Sequence, residues 1–247
     1  FAPQYHTFKG LSMEEVIESV LLGLEQGAKE ARTDGKSIKA KLIVCIGREA
    51  EAEFGVQVAK AALAYQDKGV VALDLACYEP PFPPERHKQA FELTFDSKLY
   101  RTVHAGEMMG SDEENLRNIY VALSDLRADG LGHAIPLWRR TYEGNDLIVM
   151  VREKGVRVEA NPVSNQFLKF IKNPQDLHLD LLLKEDVLVT VSSDDPAMWP
   201  TGTLADNLYV VAELYGIDVA KQVTINGILS AFGLNNDEKK EYIKLWM

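Results

Sequence analysis

In TVHAGE, residues 102–107, a histidine and a glutamate stand three apart, His104 and Glu107. An imidazole nitrogen is a common zinc ligand. A desolvated glutamate can hold a proton near neutral pH and deliver it as a general acid. GLGHA, residues 130–134, supplies a second histidine, His133. SSDDPAMW, residues 192–199, supplies Asp194 and Asp195, adjacent carboxylates ahead of a proline. Two neighbouring negative charges repel each other and lose hydration near a core. The pair therefore requires a compensating partner: a metal ion, a cationic side chain or a polar substrate. Each motif taken singly also has a plain structural reading, as a satisfied core histidine, a solvated loop carboxylate or a helix N-cap. Together they are the parts of metal-assisted hydrolysis: ligand, acid, base and water-orienting carboxylate. His6, His87 and His178 have no companions of this kind and read as surface or helix-end residues. Trp138 and Trp199 lie just beyond the motifs, where they could wall a base-shaped pocket or simply pack.

These residues need elements that bring them to one place. Helical periodicity is expected over residues 12–32, with Ser12 as N-cap and Glu15 as its capping-box partner. Further helices are expected over residues 50–68, 85–96, 112–127, 146–154, 206–215 and 219–232. Short apolar runs at residues 42–46, 70–75, 100–103, 156–160 and 187–191, and the stretch before GHA, read as strands. The strands lack period-two patterning and alternate with helices, which indicates a parallel sheet covered by helices. No GxGxxG follows any strand, so a dinucleotide-binding fold loses support. Asp74, His104, Glu107, His133, Asn161, Asp194 and Asp195 all fall at strand C-terminal ends. A (β/α)8 barrel gathers its active site at that face. The expected architecture is therefore α/β, a TIM-type barrel. Six clear strands are visible, with a possible strand end at residues 1–3, so the first strand and part of the second are expected upstream of Phe1. Residues 1–247 read as one catalytic barrel domain, incomplete at its N-terminus.

The bulk numbers exclude some classes. Thirty-seven acidic against 27 basic residues leave a formal charge of −10, the wrong sign for a duplex-binding surface. No apolar stretch is long enough to span a bilayer, and no signal peptide is visible. Cys45 and Cys77 lie in or beside apolar runs and read as reduced thiols, which points to the cytoplasm.

In this order TVHAGE, GLGHA, NPVSNQFL and SSDDPAMW resemble the adenosine deaminase family of the amidohydrolase superfamily. The resemblance extends through FAPQYH at residues 1–6, VVALDLA at 70–76 and FPPERHKQAF at 82–91, and so covers nearly the whole chain. It implies a (β/α)8 barrel with one zinc. By position, His104 and Asp194 would be zinc ligands and Glu107 the acid that protonates purine N1. His133 would be the base and electrostatic partner of the attacking hydroxide. Asp195 would hydrogen-bond purine N7. Cys77 stands where the family usually has glycine, with its backbone N–H near purine N3. The family's GHG is GHA here, and the family's HxH zinc pair is not in this sequence.

The activity this implies is hydrolytic deamination of adenosine or a related 6-aminopurine to the 6-oxo product and ammonia. The partner would be a purine nucleoside or base, with no nucleic acid or membrane. Two alternatives stand beside it. One is an inactive or fragmentary member acting as a binding or scaffolding protein. The other is a deaminase for adenine, a nucleotide or another modified aminopurine.

Overall fold

The computed structural model of the protein describes residues 1–108, 110–199 and 201–246. Two compact units divide the chain, Phe1–Thr102 and Val103 onward.

The first unit opens on a 3-10 turn, Pro3–His6, where a strand end was expected. Phe1 does behave as strand backbone: its amino group donates to Ile43 O at 3.0 Å and its carbonyl accepts from Cys45 N at 2.9 Å. The long helix α1 (Met13–Thr33) starts at the expected capping box between Ser12 and Glu15. Strands β1 (Leu42–Gly47) and β2 (Val70–Ala76) pair in parallel, with Cys45 opposite Asp74. Both are buried along nearly their whole length, which is why neither alternates in sequence. Between them runs α2 (Ala52–Ala64), shorter than expected. A 3-10 turn, Pro84–His87, then leads into the short α3 (Lys88–Glu92).

His87 corrects the expectation of a surface residue. It is fully buried, with Nε2 3.0 Å from Arg48 O. The cause is Gly55 in α2, where a Cβ would fall 2.4 Å from His87 Nδ1, so glycine opens the slot that the ring fills. Burial pushes the imidazole below its usual range. Arg48 is buried as well, 3.9 Å from Glu79 Oε1 and donating to Phe82 O at 3.3 Å.

Strand β3 (Tyr100–Ala105) carries the chain into the second unit. Next come α4 (Asp112–Ser124), β4 (Gly130–His133), the two-residue strands β5 (Thr141–Tyr142) and β6 (Asn145–Asp146), and α5 (Leu147–Lys154). After them follow β7 (Arg157–Ala160), α6 (Pro162–Phe167), α7 (Leu179–Lys184) and β8 (Leu188–Val191). The chain closes with α8 (Leu204–Tyr215), α9 (Ile217–Ser230) and α10 (Asn236–Lys244). Strands β4, β7 and β8 pair in parallel, each beside the next. Helix α9 packs on β8 and fixes it by a hydrogen bond from Asn226 Nδ2 to Val189 O at 2.8 Å. Among the described residues no helix is long and apolar enough to cross a membrane.

Candidate active site

The second unit brings His104, Glu107, His133, Asp194 and Asp195 to the C-terminal ends of its strands. His104 is the penultimate residue of β3. The chain then turns through Gly106, at φ +78°. A Cβ there would meet Ile119 Cδ1 at 2.7 Å, so this close, left-handed turn toward Glu107 requires glycine. His133 ends β4 at φ +66°, and Ala134 follows at φ +46°. Ala134 N donates to Ala105 O at 3.1 Å and Ile135 N to Gly106 O at 3.0 Å, which holds the two strand ends together. The turn after His133 is thus left-handed even with alanine in place of glycine. Gly132 lets β4 approach His104, since a Cβ would lie 3.1 Å from His104 Cγ.

Asp194, the third residue after β8, leaves extended backbone. It sits at φ +57°, in the left-handed region that aspartate tolerates better than most residues. The two aspartates therefore differ by a backbone twist and not by simple strand alternation.

Around these strand ends the distances are short. Glu107 Oε1 lies 3.4 Å from His133 Nδ1, both side chains buried. The rings of His104 and His133 are 5.1 Å apart, centre to centre. Donor atoms of Glu107, His133 and Asp194 all lie within 4.8 Å of one another. Ser164 Oγ donates to Asp194 Oδ2 at 2.6 Å. Asp195 is more exposed, and partial burial followed by the adjacent Asp194 charge raises its carboxyl above the usual aspartate range, against a lowering influence of His104. Behind the turn, Trp199 is buried and packs against Phe167 with the rings tilted, centres 5.2 Å apart.

This donor set suits a zinc ion. Imidazole nitrogen and carboxylate oxygen are its usual ligands, and a catalytic site leaves one position open. Asp194 already accepts a hydrogen bond of the kind that orients a metal ligand. The tightest cluster includes Glu107 and His133 beside Asp194, and His104 stands against His133 at the cluster's flank.

Cys77 belongs to the first unit. It follows β2 at φ +76°, is half-buried, and lies 3.5 Å from the Tyr5 hydroxyl. Three further side chains touch the centre and carry no catalytic signature in sequence: Asn161, Ser164 and Asn165, all from NPVSN and all buried. Asn161 was marked by its place at a strand C-terminal end, whereas the only signal of Ser164 and Asn165 was membership in a motif of the family resemblance.

The family described as adenosine deaminase matches residues 1–245. The chain belongs to the adenosine deaminase family. An adenosine deaminase of Clostridium kluyveri is 33% identical over 243 residues, covering 98% of this chain and 66% of that protein. One from Mycobacterium ulcerans is 32% identical over 252 residues, covering 98% and 67%. The chain thus spans about two thirds of the length of these adenosine deaminases. Among solved structures, an adenine deaminase from Arthrobacter aurescens superposes with a TM-score of 0.80 at 23% identity, covering 98% of this chain and 72% of that one. A zinc-bound amidohydrolase from Burkholderia ambifaria gives 0.83 at 20%, covering 100% and 65%. The N6-methyl-AMP deaminase of Arabidopsis thaliana gives 0.78 at 20%, covering 96% and 67%. The adenosine deaminase family's fold, the (β/α)8 barrel of the amidohydrolases, is the one expected from the alternation of strands and helices.

Proposed function

We propose that this chain carries the catalytic centre of a zinc-dependent aminohydrolase, which converts adenosine or a related 6-aminopurine to the 6-oxo purine and ammonia. The observation that carries this reading is the buried contact of Glu107 with His133 beside Asp194, in a member of the adenosine deaminase family. The family match runs through both units, which supports reading residues 1–247 as one catalytic domain.

His104 and Asp194 would hold the zinc, with Glu107 and His133 at its side. A bound zinc supplies a water acidic enough to lose a proton near neutral pH. The residues of this chain do the rest. Glu107, buried and able to carry a proton, delivers it to purine N1. That draws electron density from C6 and prepares it for attack. His133 receives a proton from the attacking water and stabilises the charge that develops there. His133 passes that proton to the amino group as the C6–N bond breaks, the C6 hydroxyl returns a proton to Glu107, and ammonia and the 6-oxo ring are left. Asp195 orients the ring through N7. Neutral N7 is an acceptor, so Asp195 must donate, which requires a protonated carboxyl; partial burial and the adjacent Asp194 charge act in that direction.

Free cysteines, one of them buried, support a reducing compartment, the cytoplasm. The test is made on the full-length protein: zinc per chain, and release of ammonia from adenosine, adenine and AMP in parallel. Zinc near one per chain with turnover of one of the three is the expected result. Absence of zinc and of turnover on all three substrates would favour a binding or scaffolding role instead. Glu107→Gln keeps shape and removes the acid, so metal stays while kcat falls at least about 10²-fold, the usual scale for such a group.

A further inference from the structure

Glu107 and His133 are held at a separation that two such groups would not choose for themselves. A direct charge-assisted N–H···O contact closes to about 2.7–2.9 Å. Here Oε1 and Nδ1 stand 3.4 Å apart although both side chains are buried. Two amides from one helical turn lie against the pair. Asn161 precedes α6 and contacts His133 Nδ1 at 3.1 Å. When its amide is turned so that Nδ2 meets the carbonyls of Ala160 (3.1 Å) and Ser192 (3.3 Å), its Oδ1 accepts from His133 Nδ1. That assigns the Nδ1 proton to Asn161 and leaves Nε2 as the nitrogen able to take up a proton. Asn165, four residues on and fully buried, donates from Nδ2 to Glu107 Oε1 at 3.3 Å, and the same nitrogen packs 3.0 Å from His133 Nδ1, to which it makes no hydrogen bond while that nitrogen carries its proton.

We propose that Asn165 is a positioning residue of this centre, which keeps Glu107 and His133 in register and prevents them from collapsing into a direct ion pair. This rests on the reading of those two groups as acid and base. A collapsed pair would hold Glu107 as an anion and point it away from substrate. The amide nitrogen sits in the notch beside the pair, 3.3 Å from one group and 3.0 Å from the other, so closing the pair would press it outward against the turn that holds it. An amide is a neutral donor to Glu107, so it fixes the carboxyl group without adding a competing charge. Leucine would fill the same volume with no donor, and alanine would leave a gap for the pair to close into.

The backbone gives Asn165 little freedom. Its N–H donates to Asn161 O at 2.9 Å, and its carbonyl accepts from Phe170 N and Ile171 N at 3.0 and 3.3 Å. One residue earlier in the same turn, Ser164 donates to Asp194. The turn is itself pinned, because Val163 N donates to Asn207 Oδ1 of α8 at 3.1 Å. Asn165 Oδ1, meanwhile, is buried without a hydrogen-bond partner among the described residues. Leaving a buried acceptor unmatched costs stability, and that cost marks a residue kept for its position against Glu107 and His133 rather than for the fold.

The experiment uses full-length protein carrying Asn165→Ala or Asn165→Leu, each alone and combined with Glu107→Gln. Zinc per chain, thermal midpoint, kcat and KM are measured. Crystal structures are solved for the metal-free wild type and Asn165→Ala. Both single variants should retain zinc and keep KM within about threefold, while kcat falls at least about 10-fold, as misplacement of a catalytic group produces. In the Glu107→Gln background the same substitutions should cost less than about twofold, because the acid they would misplace is already gone. In Asn165→Ala the Oε1–Nδ1 separation should contract to about 2.7–2.9 Å. Equal loss in both backgrounds, unchanged kcat, or an unchanged separation would each overturn the proposal. If Asn165→Ala does not fold, the leucine variant, which preserves volume, decides by its kcat and its non-additivity. The metal-free crystal structures speak to the positioning alone, so a protein that turns over none of the three purines refutes the function without refuting this contact.

Discussion

Asp194 and Asp195 are neighbours in one turn, yet they meet different surroundings. Asp194 accepts from the buried Ser164 hydroxyl and lies within the Glu107–His133 cluster, while Asp195 is more exposed and partial burial beside Asp194 shifts its carboxyl above the usual aspartate range. Unequal losses are therefore expected. Asp194→Asn should reduce bound zinc, measured by metal analysis, and activity with it. Asp195→Asn should leave zinc nearly intact and raise KM, measured by steady-state kinetics. Equal zinc loss in the two would mean that the pair acts as one ligand cluster. At this scale the candidate groups were readable in sequence because histidine, glutamate and paired aspartates are the residue types of metal-assisted hydrolysis, and Glu107, His133 and Asp194 do lie together. Asn165 and Ser164 do not stand out. An amide and a hydroxyl are common everywhere, and only the helical turn that sets them against Glu107 and Asp194 singles them out. His87 misled for a related reason: the glycine that admits it lies in another helix, 32 positions away in the chain.

Strand β4 can lie against β3 at the site because Gly132 has no side chain. Gly132→Ala places a methyl 3.1 Å from His104 Cγ and 3.2 Å from its Cα, a contact that must be relieved by shifting the β3 backbone at His104 together with the imidazole. Metal content and kcat should fall by more than the thermal midpoint suggests, and a variant with full zinc and full activity would show that His104 has room to spare. A second element-scale test lies at Arg140, which bridges Asp146 at the start of α5 and Glu185 at the end of α7. The Arg140 guanidinium, donating to Asp146 Oδ2 at 2.6 and 2.9 Å, holds that carboxyl below the usual aspartate range. A depressed carboxyl adds stability above its unfolded-state pKa, and loses it as pH falls through the folded value. Arg140→Gln should lower the thermal midpoint at neutral pH, with the difference from wild type shrinking in acid. The exposure of both partners keeps the effect small.

The elements that went unread have physical reasons too. The β5–β6 hairpin is only two residues per strand, and its signal was the turn Glu143–Gly144, both at positive φ, as a tight primed hairpin turn requires. Helix α10 buries none of its residues, so no apolar stripe marks it, although Asn235 and Glu238 form a capping box at its start. Helix α2 ends early because Ala62 and Leu63 carbonyls are capped by Tyr65 N–H, and the residues beyond it form the turn into β2.

For the whole molecule, charge and alternation of strand with helix were the readable quantities. A formal charge of −10 opposes a polyphosphate partner, and a labelled 20-base-pair duplex should show no change in anisotropy with this protein even at low salt. Salt-sensitive binding would require a basic surface that the composition does not suggest. The alternation carried the barrel type because buried parallel strands need helices on their faces, and each strand end then becomes a place to mount a polar residue. What alternation could not carry is which short loop turns left-handed. Ala134, His133, Cys77 and Asp194 all do so without glycine.

The contact between Phe167 and Trp199 gives the protein an optical handle. Trp199 is buried, with its indole N–H unmatched among the described residues, and its ring lies on an apolar neighbour. Trp138 lies instead against His178 at 4.1 Å, beneath the Arg139 guanidinium. Trp246, the third indole, is exposed, so light emitted by the three comes from unlike surroundings. Met198 N–H is bonded to Asp195 O at 2.9 Å, so the buried indole and the carboxyl proposed to meet the purine share one turn. A ligand that draws on Asp195 should shift the colour of Trp199 emission, and a protein carrying Trp138→Phe and Trp246→Phe would let occupancy be followed in real time without a dye.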